Sequence, residues 1–146
     1  MLTEVFNTKS NVRFFRTVGA AAIYAFELPG EHGQFGVRFA PDPFPEPGYN
    51  GVIVSFGQLI AGVAVHVGTT GANKHQYAIL SAVVEAIRLE MLDPRVQYVK
   101  YIAQGGRLAV YQKMVERLLP KSGYSVVTTD RGDAGMITTI YKNNGN

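Results

Sequence analysis

The stretch Ala61–Leu92, AGVAVHVGTTGANKHQYAILSAVVEAIRLEML, changes its period halfway along and so decides the fold. Ala61–Val67 reads as an apolar strand. Gly68-Thr69-Thr70-Gly71-Ala72-Asn73 is a turn, and from Lys74 the apolar positions fall at Tyr77, Leu80, Val83, Val84, Ile87, Met91 and Leu92. Spacings of three and four describe one face of a helix of about five turns. Asp93-Pro94 ends it, because the residue before a proline is pushed out of helical geometry.

Toward the N-terminus the period is that of strands. Ala20–Leu28 is apolar and aromatic and closes at the turn Pro29-Gly30. Gln34–Ala40 alternates, with Phe35, Val37 and Phe39 on one face and Gly36 and Arg38 on the other. The spacer Glu31-His32-Gly33 makes these two segments a hairpin. Pro41–Gly48 holds four prolines in eight residues and cannot join a ladder, so it reads as a rigid surface loop. Gly51–Phe56 is a further strand, and residues 1–19 are expected to be peripheral.

Toward the C-terminus, Val96–Ala103 is a strand with Val96, Tyr98, Lys100 and Ile102 on one side and Gln97, Val99, Tyr101 and Ala103 on the other. Gly105-Gly106 breaks the chain, and Arg107–Leu119 is helical through Leu108, Tyr111, Met114, Val115, Leu118 and Leu119. Tyr124–Thr129 and Met136–Tyr141 are strands joined by a turn-rich linker, and 143–146 is a polar tail. The expected fold is a single α/β (α+β) domain over 1–146, with a mixed, largely antiparallel sheet flanked by two long helices.

Composition narrows the function classes. At 146 residues the chain fits one domain, and 17% charged against 47% hydrophobic residues excludes whole-chain disorder. The absence of cysteine excludes a disulfide scaffold, a thiol nucleophile and a cysteine-ligated metal. No apolar run reaches the roughly 18–20 residues that span a bilayer, and Met1–Arg16 has no signal-peptide core. A soluble intracellular protein without a membrane partner is expected. The charge of +3 is unevenly placed: Arg95, Lys100, Arg107, Lys113, Arg117 and Lys121 face only Glu116 in their stretch. That surface is either a solvated helix exterior or a face for an acidic partner, and nucleic acid is not expected. Arg131-Gly132-Asp133 reads as a turn, and no residues have metal-ligand spacing.

Chemistry concentrates at the turn before the long helix. A glycine-bearing turn there can present backbone N–H groups to an anion, with Lys74 adding a positive charge. Alternatively, Thr70 or Asn73 simply caps the helix. His66, on the strand entering the turn, is either an accommodated core or rim histidine or a base near neutral pH. Tyr111 lies on the apolar stripe of its helix and so reads also as a packing residue.

The stretches GTTGANKHQYAILSAVVEAI (Gly68–Ile87) and GRLAVYQKMVERLLPKSGYSVV (Gly106–Val127) resemble the GCN5-related N-acetyltransferase (GNAT) pattern. More narrowly, the chain is similar to the compact GNAT-like proteins of tailed bacteriophages. The resemblance implies acetyl-CoA as cofactor and an amine as acceptor. It implies a pyrophosphate site formed by Gly68, Gly71, Ala72, Asn73 and Lys74, with Gly71 in the family's central glycine position. It also implies Tyr111 as general acid, with Gly123-Tyr124 matching the family's step into the next strand. His66 is then the base, with Glu27 at a strand end as its rival. Gly68 stands where the family has Gln or Arg, and Asn73 where it has a small residue. That departure motivates the alternative, a catalytically silent GNAT-fold protein binding a host protein or built into the virion, by way of Pro41–Gly48 or the surface of Arg107, Lys113 and Arg117. The implied location is the host cytoplasm or the virion.

Overall fold

The computed structural model describes residues 12–28, 34–45, 47–60, 63–64, 76–103, 113, 115–116, 119, 123–130 and 136–143. Among these, β-branched and aromatic runs form strands β1 (Arg13–Val18), β2 (Ala21–Phe26), β3 (Phe35–Pro41), β4 (Gly51–Ile60) and β5 (Val63–Ala64). Helix α1 (Gln76–Glu90) follows, then β6 (Tyr98–Ala103), β7 (Tyr124–Asp130) and β8 (Met136–Lys142). The sheet order is β1-β2-β3-β4-β6-β8-β7, with β5 paired to β4. Every neighbouring pair is antiparallel except β4 and β6. The sheet is therefore two antiparallel halves, β1–β4 and β6-β8-β7, joined along a single parallel seam.

The expected mixed, largely antiparallel sheet is present. Phe35, Val37 and Phe39 share one face, as their alternation requires. That face carries Tyr24, Phe26, Val54, Val99, Tyr101 and Ile140, and α1 covers it through Leu80, Val83, Val84 and Ile87. Tyr24 Oη donates to Glu90 Oε1 at 2.9 Å and so ties the end of α1 to β2. Burial pushes the Glu90 carboxyl up, and that hydrogen bond draws it part of the way back.

Several boundaries differ from the sequence reading. β4 continues past Phe56 to Ile60, and of the strand expected over Ala61–Val67 only Val63–Ala64 is among the described residues. Leu92, expected on the apolar stripe, is 66% exposed. Its amide donates to Leu89 O rather than four residues back, and this tighter turn rotates it off the buried face. The second helix, Arg107–Leu119, lies mostly outside the described residues. Within it Lys113, Val115 and Glu116 are helical, and Leu119 N donates to Val115 O. The stretch 1–19, expected to be peripheral, supplies edge strand β1 over Arg13–Val18.

The seam is short. β4 and β6 pair over three rungs, Gly51↔Tyr98, Val52↔Val99 and Ile53↔Lys100. At its first rung a Cβ on Gly51 would sit inside the Tyr98 ring, which is itself fully buried. Only glycine leaves room for the Tyr98 ring against the β4 backbone there. Gly51→Ala should therefore cost about 1–3 kcal/mol, as overpacking of a closed site does. A urea titration would show this as a lowered midpoint, and pairing the change with Tyr98→Leu should recover part of the loss.

Candidate functional site

Beyond Ile53 the two parallel strands part. Among the described residues Val54 to Gln58 pair with β3 alone, while β6 continues along β8 as far as Ala103. A strand's N–H and C=O groups alternate sides. Half of those on Val54–Gln58 therefore point away from β3, into the opening. The opening lies toward the carboxyl end of β4, the end from which the chain runs on to α1, and open α/β sheets bind ligands outside the carboxyl ends of parallel strands.

The two faces of the opening differ. On the helix face, Val54, Val99 and Tyr101 belong to the buried core with α1. On the far face Ile53 is half-buried and Ser55 is exposed. On the described surface the β4 edge is thus exposed on both faces, at Ser55 on the far face and at Gln58 on the helix face. Tyr101, one rung past the last pairing, is a buried phenol whose proton is held more tightly than usual. Burial raises it, against a hydrogen bond with Thr138 that pulls it down.

At the closed end of the seam sits a buried polar clasp. Asp42 Oδ2 accepts from Tyr98 Oη at 2.6 Å and from Lys100 Nζ at 2.9 Å, and Asp42 Oδ1 accepts from Phe44 N at 3.0 Å. The Asp42 side chain is only 4% exposed and that of Lys100 16%. Lys100 Nζ also lies 5.3 Å from the Tyr98 ring centroid. Burial raises the Asp42 carboxyl, but the hydrogen bonds from Tyr98, Lys100 and Phe44 outweigh it and hold the group below the usual carboxylate range.

Of the expected site residues, Glu27 is the one among those described. It is exposed just past β2, and its Oε1 accepts from Arg13 Nη2 at 3.3 Å and Gln34 Nε2 at 3.4 Å. By register it is separated from the opening by β3 and β4. His66, Gly68, Gly71, Ala72, Asn73, Lys74 and Tyr111 lie outside the described residues. Sequence reading passed over Asp42, Lys100, Tyr101 and Arg38. The alternation placed Lys100 and Arg38 on particular strand faces, but nothing local marks Asp42 inside a proline-rich loop. Among the described residues no helix is long and apolar enough to cross a membrane, and no acidic or histidine group is built to hold a metal.

The sequence matches no protein-family model, and no curated protein aligns with it. Two similar solved structures are AAC(6')-Ib in complex with ribostamycin and coenzyme A, and AAC(6')-Ib in complex with paromomycin and acetyl-CoA. Each is 14% identical with a TM-score of 0.41, over 86% of this chain. The chain spans 66% and 67% of theirs, about two thirds of their length.

The clasp has a testable signature. Lys100→Met leaves a buried carboxylate short of its cation and should cost about 3 kcal/mol, most of it recovered by adding Asp42→Asn. Asp42 has a lowered folded-state pKa, so its contribution is present above its ordinary value near pH 3.8 and is lost as pH falls through the folded value. Without the ammonium the folded-state carboxyl is raised, so urea midpoints measured from pH 6 down to 2 should show the deficit of Lys100→Met against the unaltered chain narrowing as Asp42 is protonated.

Proposed function

We propose that the chain is an acetyl-CoA-dependent N-acyltransferase of the GNAT type, acting on an amine. The observation that carries this reading is the parting of β4 and β6 after three parallel rungs. The freed edge of Val54–Gln58 offers backbone donors and acceptors to an extended, amide-bearing chain, in the manner of strand addition. The pantetheine arm of coenzyme A is such a chain, so the opening fits the group. Gly68, Gly71, Ala72, Asn73 and Lys74, in the turn ahead of α1, would hold its pyrophosphate through backbone N–H groups and the Lys74 ammonium.

When bound, acetyl-CoA supplies a thioester carbonyl as acyl donor. Transfer to nitrogen would release the thiol, so one proton would have to leave the amine and one reach the sulfur. His66 would take the proton from the amine. Glu27 is its rival, though its carboxylate is engaged by Arg13 and Gln34 away from the opening. Tyr111 Oη returns a proton to the sulfur. The silent binding role, in a phage particle or on a host protein, would instead rest on exposed surface such as Phe44 in the proline-rich loop and Lys113. It leaves the edge of β4 that is unpaired among the described residues without a use, and we prefer acyl transfer for that reason.

Titration with acetyl-CoA should give a saturable heat and a rise in melting temperature; at one hundred times Kd the gain is about 2.7 kcal/mol. Tyr111→Phe should keep that binding and lower kcat by about a hundredfold. No saturable response up to millimolar acetyl-CoA removes the enzyme reading.

A further inference from the structure

The far face of the sheet carries an arrangement that acyl transfer alone does not explain. In an unbroken strand Arg13 and Arg16, three residues apart, would point to opposite faces. In β1 the register shifts between Phe14 and Arg16, so that Arg13 lies opposite Ala25 and Arg16 opposite Ile23. Ala25 and Ile23 are two apart on β2, so the bulge turns both arginines to the far face. Phe14 stays on the helix face, edge-on to Tyr24 at 5.6 Å between ring centroids.

The row through Arg16 then reads Arg16, Ile23, Arg38, Ser55 across β1 to β4. Ile23 is fully buried between the two arginines, whose backbones are about 10 Å apart across β2. Among the described residues four cations occupy this face. Arg13 is paired with Glu27, and Lys100 with Asp42. Arg16 stacks on the Phe15 ring at 5.0 Å. Among the described residues neither Arg16 nor Arg38 meets a carboxylate, and Arg38 is half-buried. Among the described residues the face thus has two acids, both used, and two guanidinium groups without a carboxylate. Arg38 is next to the exposed Ser55, on the far face beside the β4–β6 opening.

We infer that the amine acceptor carries a carboxylate, which Arg38 receives while the amine reaches into the β4–β6 opening; this rests on the acyl-transfer reading above. A guanidinium holds a carboxylate through two parallel N–H···O bonds, which fixes orientation as well as affinity. The carboxylate needs no chemistry of its own and leaves with the acetylated product. Arg38 stands one strand, about 5 Å, from the β4 wall of the opening. An extended dipeptide spans about 7 Å, so a short peptide or amino acid can bridge the two. Arg16 adds positive potential across Ile23 rather than a direct contact.

The test uses matched pairs that differ only in the acid: glycylglycine against glycylglycinamide, and β-alanine against β-alaninamide. Each is assayed for acetylation with acetyl-CoA and, separately, for binding without it by saturation-transfer NMR. The acids should be preferred at least about tenfold in kcat/KM and should bind the unaltered chain. Arg38→Gln should abolish the preference at an unchanged melting temperature, and Arg38→Lys should restore part of it. Equal use of acid and amide, no binding of either acid, or a preference that survives Arg38→Gln overturns the inference. If Arg38→Gln unfolds the chain, Arg38→Lys decides: a folded Arg38→Lys with an undiminished acid preference also overturns it. Failure of acetyl-CoA to bind, with Arg38-dependent acid binding intact, defeats acyl transfer and leaves the acid site standing. Acetylation indifferent to the acid does the reverse.

Discussion

Two antiparallel half-sheets meet along three rungs of parallel pairing, and most of what is distinctive in this molecule follows from how that short seam is held. Parallel pairs are slightly weaker per residue than antiparallel ones, and three rungs supply few backbone bonds. The closed end is therefore fastened by other means. Gly51 admits the Tyr98 ring against the backbone. Asp42, from the β3–β4 loop, bonds both Tyr98 and Lys100 of β6. Asn50 and Gln97 exchange two further bonds, Gln97 N to Asn50 O at 2.8 Å and Asn50 N to Gln97 Oε1 at 2.7 Å. Every one of these ties the β3–β4 loop or the start of β4 to a residue just before or within the start of β6. The strands are pinned at one end and free to diverge at the other.

That distribution explains why a buried ion pair is found where apolar packing would serve stability as well. Replacing a buried pair by well-packed hydrophobic residues is often neutral or better. Apolar contacts, however, are indifferent to direction. A carboxylate receiving a phenol, an ammonium and a backbone amide at 2.6–3.0 Å fixes which rung of β6 meets which rung of β4. A one-residue slip of β6 would exchange Tyr98 and Lys100 with Val99 and Tyr101, turning a cation into the helix-covered core.

Much of this was legible from the chain and some was not, for physical reasons. Alternation identified β3 and β6 and sorted their faces correctly, because one face of each is buried against α1 and the pattern is enforced by burial. The helix was legible for the same reason, until the last turn tightened and carried Leu92 out. β1 was missed because its bulge breaks the alternation that would have revealed it: Arg13-Phe14-Phe15-Arg16 has no period of two. Asp42 was read as part of a surface loop, since its partners lie 56 and 58 positions away at Tyr98 and Lys100. Proline content gives the loop its extended course but says nothing about which of its side chains turns inward. Of the expected site residues, Glu27 belonged to the legible part as a strand end; its pairing with Arg13 depended on the bulge and could not be read.

The bulge and the seam together assign different work to the two faces. The helix face is filled by the α1 core over Val54, Val99 and Tyr101 and so supplies stability. The far face keeps Ile53 and Ser55 accessible beside the parting strands, and it gathers charge: Arg13, Arg16, Arg38 and Lys100 against Glu27 and Asp42. Had β1 run without its bulge, Arg13 and Arg16 would face opposite ways, and one of them would be directed at the aromatic face where Phe14 meets Tyr24. Placing a guanidinium against that apolar surface is costly unless it is paired. The bulge avoids this by leaving one residue of an edge strand out of register, a small loss in a ladder that is already at its border. The same irregularity that hid β1 from the sequence thus gives the sheet its surplus positive charge, on the face from which the opening between β4 and β6 can be reached.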